Sequence, residues 1–259
     1  MKTVTLIGLG RVGSHLLRIF SQNSIPVREV LARKTDDRIE LSEQYNVKLV
    51  SGFNELSAGS DIYILAVPDL AIKSAAEELN RYIGKDHLVV HTSGTTPLSV
   101  LSEYFNRFGL WYPLQSFSLG SEVNWTGLPI FIDASSEEDF RKLFDLARIV
   151  SGKAIKINED QRPYLHLAAV IANNFSNALF SWSKQILDDN GLSFEYLHPL
   201  IKDGLDKSLK IGPYNAQTGP ADRGDMNTIN KHLEMLKNDP DQRQLYYLLS
   251  KLINPDIQV

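Results

Sequence analysis

In the apolar stretch YLHLAAVIANNFSNALFSW, His166, Val170, Asn173 and Asn177 recur at i, i+4, i+7 and i+11 and so share one face of a helix. An imidazole and carboxamides on an otherwise apolar helix must find hydrogen-bond partners or meet a ligand. A histidine and amides satisfied by neighbouring backbone are the structural alternative. Chemically, the set offers a proton donor beside amides able to polarise a carbonyl or imine. A second polar cluster, TGPADRGDMNTINKH, runs from Thr218 to His232. Gly219-Pro220 makes a turn and Asp222 or Asp225 caps the next helix. Arg223, Asp225, Thr228 and His232 together exceed what a cap needs, and a guanidinium such as Arg223 suits a substrate anion. The 6 histidines show no paired metal spacing and there is no cysteine, so neither a metal centre nor a thiol nucleophile is expected. Nor is there a G-x-S-x-G elbow.

Near the N-terminus, Val4-Thr5-Leu6-Ile7 breaks into Gly8-Leu9-Gly10-Arg11-Val12-Gly13. The G-x-G-x-x-G spacing between a strand and a helix supplies a tight turn, close backbone approach to a pyrophosphate and close helix–strand packing. Arg11 and Val12 begin that helix, whose free amides and dipole favour phosphate. A glycine turn without a ligand is the plain alternative. An NAD site wants a carboxylate about 20 residues on. Arg33 and Lys34 stand there instead, so NADP(H) is expected, with both cations meeting its extra phosphate. Asp36 and Asp37 come too late to be ribose ligands. Two further strand ends, at Ala66-Val67-Pro68-Asp69 and His91-Thr92-Ser93-Gly94, open on the same crevice. Val67, Pro68, Ser93 and Gly94 are therefore cofactor-binding candidates.

Apolar runs of strand length alternate with helical patterns through the first 150 or so residues: Val4 to Ile7, Val27 to Leu31, Val47 to Val50, Ile62 to Val67, Leu88 to His91, Leu110 to Tyr112, Pro129 to Ile132 and Ala154 to Ile157. Ile62 to Val67 is apolar on both faces, as a central parallel strand must be. Helical stripes fall at Ile72, Ala75, Ala76, Leu79 and Ile83, and at Phe140, Leu143, Phe144, Ala147 and Val150, the latter capped by Ser135 or Ser136. After Asn158 only helices are expected, over about 160–189, 194–209, 222–237 and 241–253. The fold class is α/β: a doubly wound, mainly parallel Rossmann sheet followed by an all-helical domain. The expected domains are 1–158, binding NADP, and 159–259, for substrate and dimerisation.

The whole chain has 259 residues, with 22% charged, 43% hydrophobic and a net charge of −4. It carries no basic footprint for nucleic acid. The absence of cysteine fits a reducing compartment, and the first apolar run is too short for an export signal, so a cytoplasmic location is expected. The stretch from Tyr164 to Ile186 contains His166, three asparagines and Lys184, which argues for a buried helix of a water-soluble protein over a membrane span. Its apolar character from Ala168 to Phe180 exceeds what a small helical domain can cover, so a homodimer is expected.

Together, GLGRVG with ARKT, ILAVPD, HTSGT, YPLQSFS, HLAAVIANN and TGPADRGDMNTINKH resemble, over essentially the whole chain, a bacterial family. It joins a Rossmann-like NADP oxidoreductase domain of the deazaflavin-dependent type to a helical domain of unknown function. The resemblance implies kinship with pyrroline-5-carboxylate reductase, ketopantoate reductase and 6-phosphogluconate dehydrogenase, and a C-terminal domain like that of the last enzyme. It picks out Gly8, Gly10, Gly13, Ser93, Gly94, Pro113, Gln115, His166, Asn174, Thr218, Gly219, Pro220, Arg223, Gly224, Asp225 and His232, with Tyr112 standing where many members have histidine. Helical geometry favours Asn173 beside His166 where the family pattern favours Asn174, and both stay candidates. The expected activity is hydride transfer from NADPH to a small C=O or C=N substrate in a cleft between the domains. His166 would be the acid, Asn173 or Asn174 the polarising amide and Arg223 the anion ligand. Two alternatives are a non-catalytic NADPH sensor and hydride exchange with a deazaflavin.

Overall fold

The structure is a computed structural model that describes residues 2–33 and 35–258; Lys34 lies outside the described residues. Eight strands, β1 (Val4–Ile7), β2 (Val27–Leu31), β3 (Lys48–Val50), β4 (Ile62–Leu65), β5 (Leu88–His91), β6 (Arg107–Pro113), β7 (Ile130–Ala134) and β8 (Ala154–Lys156), form one sheet in the order β3-β2-β1-β4-β5-β6-β7-β8. Every neighbouring pair is parallel except β6–β7. All eight expected strands form. β4 stops two residues early, before Pro68, and β6 is longer at both ends because parallel pairing with β5 starts at Leu88↔Arg107 and antiparallel pairing with β7 runs on to Pro113↔Ile130.

Helices α1 (Arg11–Gln22), α2 (Asp36–Gln44), α3 (Ile72–Ile83), the single turn α4 (Ser99–Ser102) and α5 (Glu137–Ser151) accompany the sheet. Strand residues alternate between two cores. Leu6, Ile62, Ile64, Val90 and Trp111 pack with Leu16 and Phe20 of α1, whereas Ile7, Tyr63, Leu65 and Val89 pack with Leu79 of α3 and Leu101 of α4. Period-2 alternation covered on both sides is why β4 is apolar throughout. Ser136 caps α5 by accepting the Asp139 amide at 3.1 Å, ahead of an acidic first turn.

Beyond β8 come α6 (Arg162–Ala169), a π-helical turn (Val170–Phe175), α7 (Ser176–Asp189), α8 (His198–Ile211), α9 (Pro213–Ala216), α10 (Met226–Met235) and α11 (Pro240–Ile253). Strand structure ends near residue 158, while the chain divides by compactness into residues 1–177 and 178–259. The second unit has its own small core of Ala221, Ile229, Leu233 and Ile257. The helix expected to be buried is not: within one chain Leu167 is 54% exposed, Ile171 51%, Phe175 56% and Phe180 40%. Of α6 and α7 only Arg162 is buried. Among the described residues no helix is long and apolar enough to cross a membrane.

Candidate active site

The strand order reverses at β1, between β2 and β4, and a doubly wound sheet binds its ligand at such a point. Each glycine of the turn there has a different reason to be glycine. Gly8 has φ +99°, and a Cβ on it would lie 2.5 Å from the Ala66 carbonyl oxygen of the neighbouring strand end. A Cβ on Gly13 would come within 2.0 Å of the Gly8 carbonyl oxygen, so α1 can lie against the turn only without one. A Cβ on Gly10 would meet nothing within 4 Å. Protein packing does not demand that glycine, and the space over it is open to a ligand.

The start of α1 supports the same reading. α5 opens with a serine cap and three acidic residues, whereas α1 opens at Gly10 with no side-chain cap and no acid in its first turn. The amides of Arg11, Val12 and Gly13 are thus left for an external anion. Val67 abuts Gly8, with its Cγ1 3.0 Å from the Gly8 Cβ position, and Pro68 begins the turn Asp69–Ala71. The exposed Arg33 follows β2. Arg38, which the sequence did not single out, joins it by donating from Nη1 to the Arg33 carbonyl at 3.3 Å. Asp36 and Asp37 occupy the first turn of α2, and the Thr35 hydroxyl holds the Asp37 carboxyl below the usual range. The carboxylates thus serve the helix dipole. These residues fit a dinucleotide bearing an extra phosphate: an open cradle over Gly10, free amides, and guanidinium groups at the end of β2.

The end of β5 and the start of α6 build a second part of the site. Burial holds His91 neutral, lowering its pKa to about 3, and its Nδ1 accepts the Ser93 amide at 3.2 Å. The Ser93 hydroxyl accepts the amides of Thr95 and Thr96 at 3.1 and 2.9 Å. Ser93 therefore shapes its own turn, and Gly94 leaves a gap that a side chain fills. That side chain is His166. A Cβ on Gly94 would lie 2.5 Å from His166 Nδ1 and 3.0 Å from the Tyr112 hydroxyl oxygen, and these two groups are hydrogen-bonded at 3.1 Å.

Arg162, 1% exposed, holds α6 in place one turn before His166. Its Nη2 donates to the Thr96 carbonyl at 2.5 Å and lies 3.7 Å from Glu159, whose carboxylate accepts the Leu98 amide at 2.7 Å. Burial lowers the Arg162 pKa against the pull of Glu159, Asp133, Asp69 and Tyr112. Burial and the nearby Asp69 raise that of the Tyr112 phenol, while Arg162 lowers it.

His166, Tyr112, Leu114, Gln115, Ser116, Asn173 and Asn174 are among the residues lining a cavity of about 380 Å³ in the first unit. The two asparagines are reconciled by the π turn. One added residue in a turn sets every later residue back by about 100°, which brings Asn174 to the angular place that an unbroken α-helix would give Asn173. Both side chains then border the space beside His166, and π turns recur at functional sites.

Arg223 belongs to the second unit and is exposed in the turn before α10. Around it the cluster is accounted for structurally. Asp225, not Asp222, caps α10, accepting the Thr228 amide at 3.1 Å and its hydroxyl at 2.7 Å. His232 Nδ1 pairs with the Tyr246 hydroxyl at 2.7 Å. Among the described residues no group of three potential ligands could hold a metal ion.

A doubly wound sheet with a glycine cradle, cations at the end of β2 and a histidine beside a small cavity defines a dinucleotide-dependent oxidoreductase. Residues 3–94 match the family described as NADP oxidoreductase, coenzyme F420-dependent, and residues 128–253 match a domain of unknown function, DUF2520. BF3122, a Bacteroides fragilis protein described as an NADP oxidoreductase, is 32% identical in sequence and superimposes with a TM-score of 0.91 over 98% of both chains. The chain belongs to this family of NADP oxidoreductases. Its fold also matches an imine reductase from Myxococcus stipitatus in complex with NADP+ (17% identity, TM-score 0.65, 98% of this chain and 93% of that one). A pyrroline carboxylate reductase from Plasmodium falciparum with NADP bound is comparable (15% identity, TM-score 0.62, 97% and 98%). No protein of curated function matches in sequence.

Proposed function

We propose that this protein reduces a small C=O or C=N compound with NADPH, that residues 1–158 bind the cofactor, and that residues 159–259 complete the substrate site and the dimer. The observation that carries the reading is the placement of His166 over Gly94, at the carboxyl end of the sheet that bears the glycine cradle. Bound NADPH would supply the hydride. The chain's own residues would do the rest. Gly8, Gly10, Arg11, Val12 and Gly13 hold the pyrophosphate, and Arg33, Lys34 and Arg38 hold the extra phosphate. Val67, Pro68, Ser93 and Gly94 shape the crevice floor. His166 gives a proton to the oxygen or nitrogen as the carbon is reduced, and the carboxamide of Asn173 or Asn174 polarises the double bond. Arg223 is assigned to a substrate anion.

NADPH consumption across a panel of ketones, keto acids, cyclic imines and a deazaflavin tests the reading. Wild type should turn over at least one carbonyl or imine, with His166→Gln losing on the order of 10²-fold in kcat and keeping its affinity for NADPH. Turnover of the deazaflavin alone would move the chain to hydride exchange, and tight binding of NADPH with no consumption would make it a sensor.

We also propose that two copies pair through α6, α7 and α8, where Leu200 is 67% and Leu209 78% exposed in the single chain. So much uncovered aliphatic surface is characteristic of an interface. Light scattering should give twice the chain mass; a monomer would refute pairing.

A further inference from the structure

We propose that Tyr112 and His166 work as a proton relay, in which the phenol donates to Nδ1, turns the protonated Nε2 toward the cavity and replaces the proton that His166 gives up. The inference rests on the reductase reading for its chemistry and on the geometry alone for its structure.

Three observations carry it. Tyr112 is 8% exposed, and its hydroxyl meets His166 Nδ1 at 3.1 Å. The pair is built in from two directions: Tyr112 is fixed in β6 within a cluster with Leu98, Leu110 and Ile157, and His166 is fixed by the Arg162 and Glu159 attachments of α6. Finally, Gly94 lies against both rings, and a Cβ there would overlap Nδ1, Cγ and the phenol oxygen at 2.5, 2.8 and 3.0 Å. A neutral imidazole carries one proton and accepts at its other nitrogen. A phenol is a far better donor than acceptor, so a Tyr112 hydroxyl directed at Nδ1 leaves the proton on Nε2.

The step balances as follows. The hydride and its electron pair go to the substrate carbon, the π pair of the C=O or C=N goes to the heteroatom, and that atom takes the Nε2 proton. As Nε2–H breaks, Nδ1 takes the Tyr112 proton, so the imidazole ends neutral and the phenol ends as phenolate. The buried Arg162 favours that phenolate, opposing the burial and the Asp69 charge that raise the phenol pKa. Solvent returns the proton after product leaves.

The test separates this proposal from the reductase reading, because its first readout needs no substrate. Nitrogen NMR of 15N-histidine-labelled protein, with His166 assigned through His166→Gln, should show neutral His166 protonated at Nε2. In Tyr112→Phe, which keeps the ring and its packing, the same histidine should become a mixture of tautomers at unchanged Tm. An Nδ1-protonated ring in wild type, or an unmoved spectrum in Tyr112→Phe, would overturn the relay even if the enzyme reduces imines. Gly94→Ala is a second route to the same readout: crowding of Nδ1 should abolish the wild-type tautomer preference, and a wild-type spectrum there would count against the relay. With any substrate found in the panel, Tyr112→Phe should lower kcat by about 10²-fold and leave KM within about twofold; a change in KM alone refutes the proton role. If no substrate is turned over but the tautomer results hold, the pair stands and the reductase reading falls.

Discussion

Replacing Gly10 and Gly13 one at a time by alanine separates what the glycine turn does for the fold from what it does for the ligand. At Gly13 the new Cβ would lie 2.0 Å from the Gly8 carbonyl oxygen, roughly 1.5 Å inside van der Waals contact. That obstacle is backbone, so α1 must move off the sheet. The cost falls at the top of the overpacking range, about 3 kcal/mol, equivalent to a Tm lower by roughly 6–12 °C for a chain of this size. At Gly10 the Cβ meets nothing, and φ −87° suits alanine. Its loss as a helix N-cap is offset by the smaller entropy of the unfolded chain, and Tm should stay within about 2 °C. Cofactor binding should respond in the opposite sense to this stability. A methyl group on Gly10 holds the pyrophosphate off the amides, and losing two charge-assisted hydrogen bonds raises the Kd for NADPH on the order of 10²-fold. Scanning calorimetry and fluorescence titration read both quantities on the same samples. Wild-type affinity in Gly10→Ala would show that the dinucleotide does not lie on this turn, and wild-type Tm in Gly13→Ala would refute the packing argument.

Charge removal at Arg33 or Arg38 to serine should weaken NADPH roughly tenfold and leave NADH unchanged; equal loss for both nucleotides would reassign the two arginines. Asp139, 1% exposed, is stabilising through its pair with Arg107. Burial pushes its pKa up, but hydrogen bonds from Arg107 and Ser136 outweigh this and hold it below the ordinary value. The pair's contribution is therefore complete above about pH 4 and fades as pH falls through the lower folded value. Asp139→Asn should cost about 2 kcal/mol at pH 7 and flatten the acid side of a Tm-against-pH curve, and an unchanged acid side would contradict the assignment.

Much of the first unit was legible in the sequence because its signals are local. The glycine spacing, the all-apolar β4 and the cations after β2 each lie within a few residues of what they determine. Tyr112 and Arg162 were not legible, since each acts on a partner 54 or 66 positions away, and a tyrosine in an apolar strand looks like core. Gly94 was expected at the cofactor, and its lack of a side chain also makes room for a histidine; only the fold brings that ring there. The uncertainty between Asn173 and Asn174 arose because periodicity assumes uniform 3.6-residue turns, and a π turn has no compositional signature. The helix expected to be buried was rightly read as apolar, but a single chain does not cover it.

The widened turn at Val170–Phe175 has a consequence for how this site can vary. A helix that carries one surplus residue can lose it and relax to the regular ladder, so deletion of Ile171 would leave a continuous helix with its register intact up to Ala169. Every side chain beyond would keep its angular place, so Asn174, now the seventh residue after His166 in a regular helix, would still border the imidazole, while Asn173, now the sixth, would lie about 100° off that line. The length of six residues, more than their identity, would then decide which amide the substrate meets.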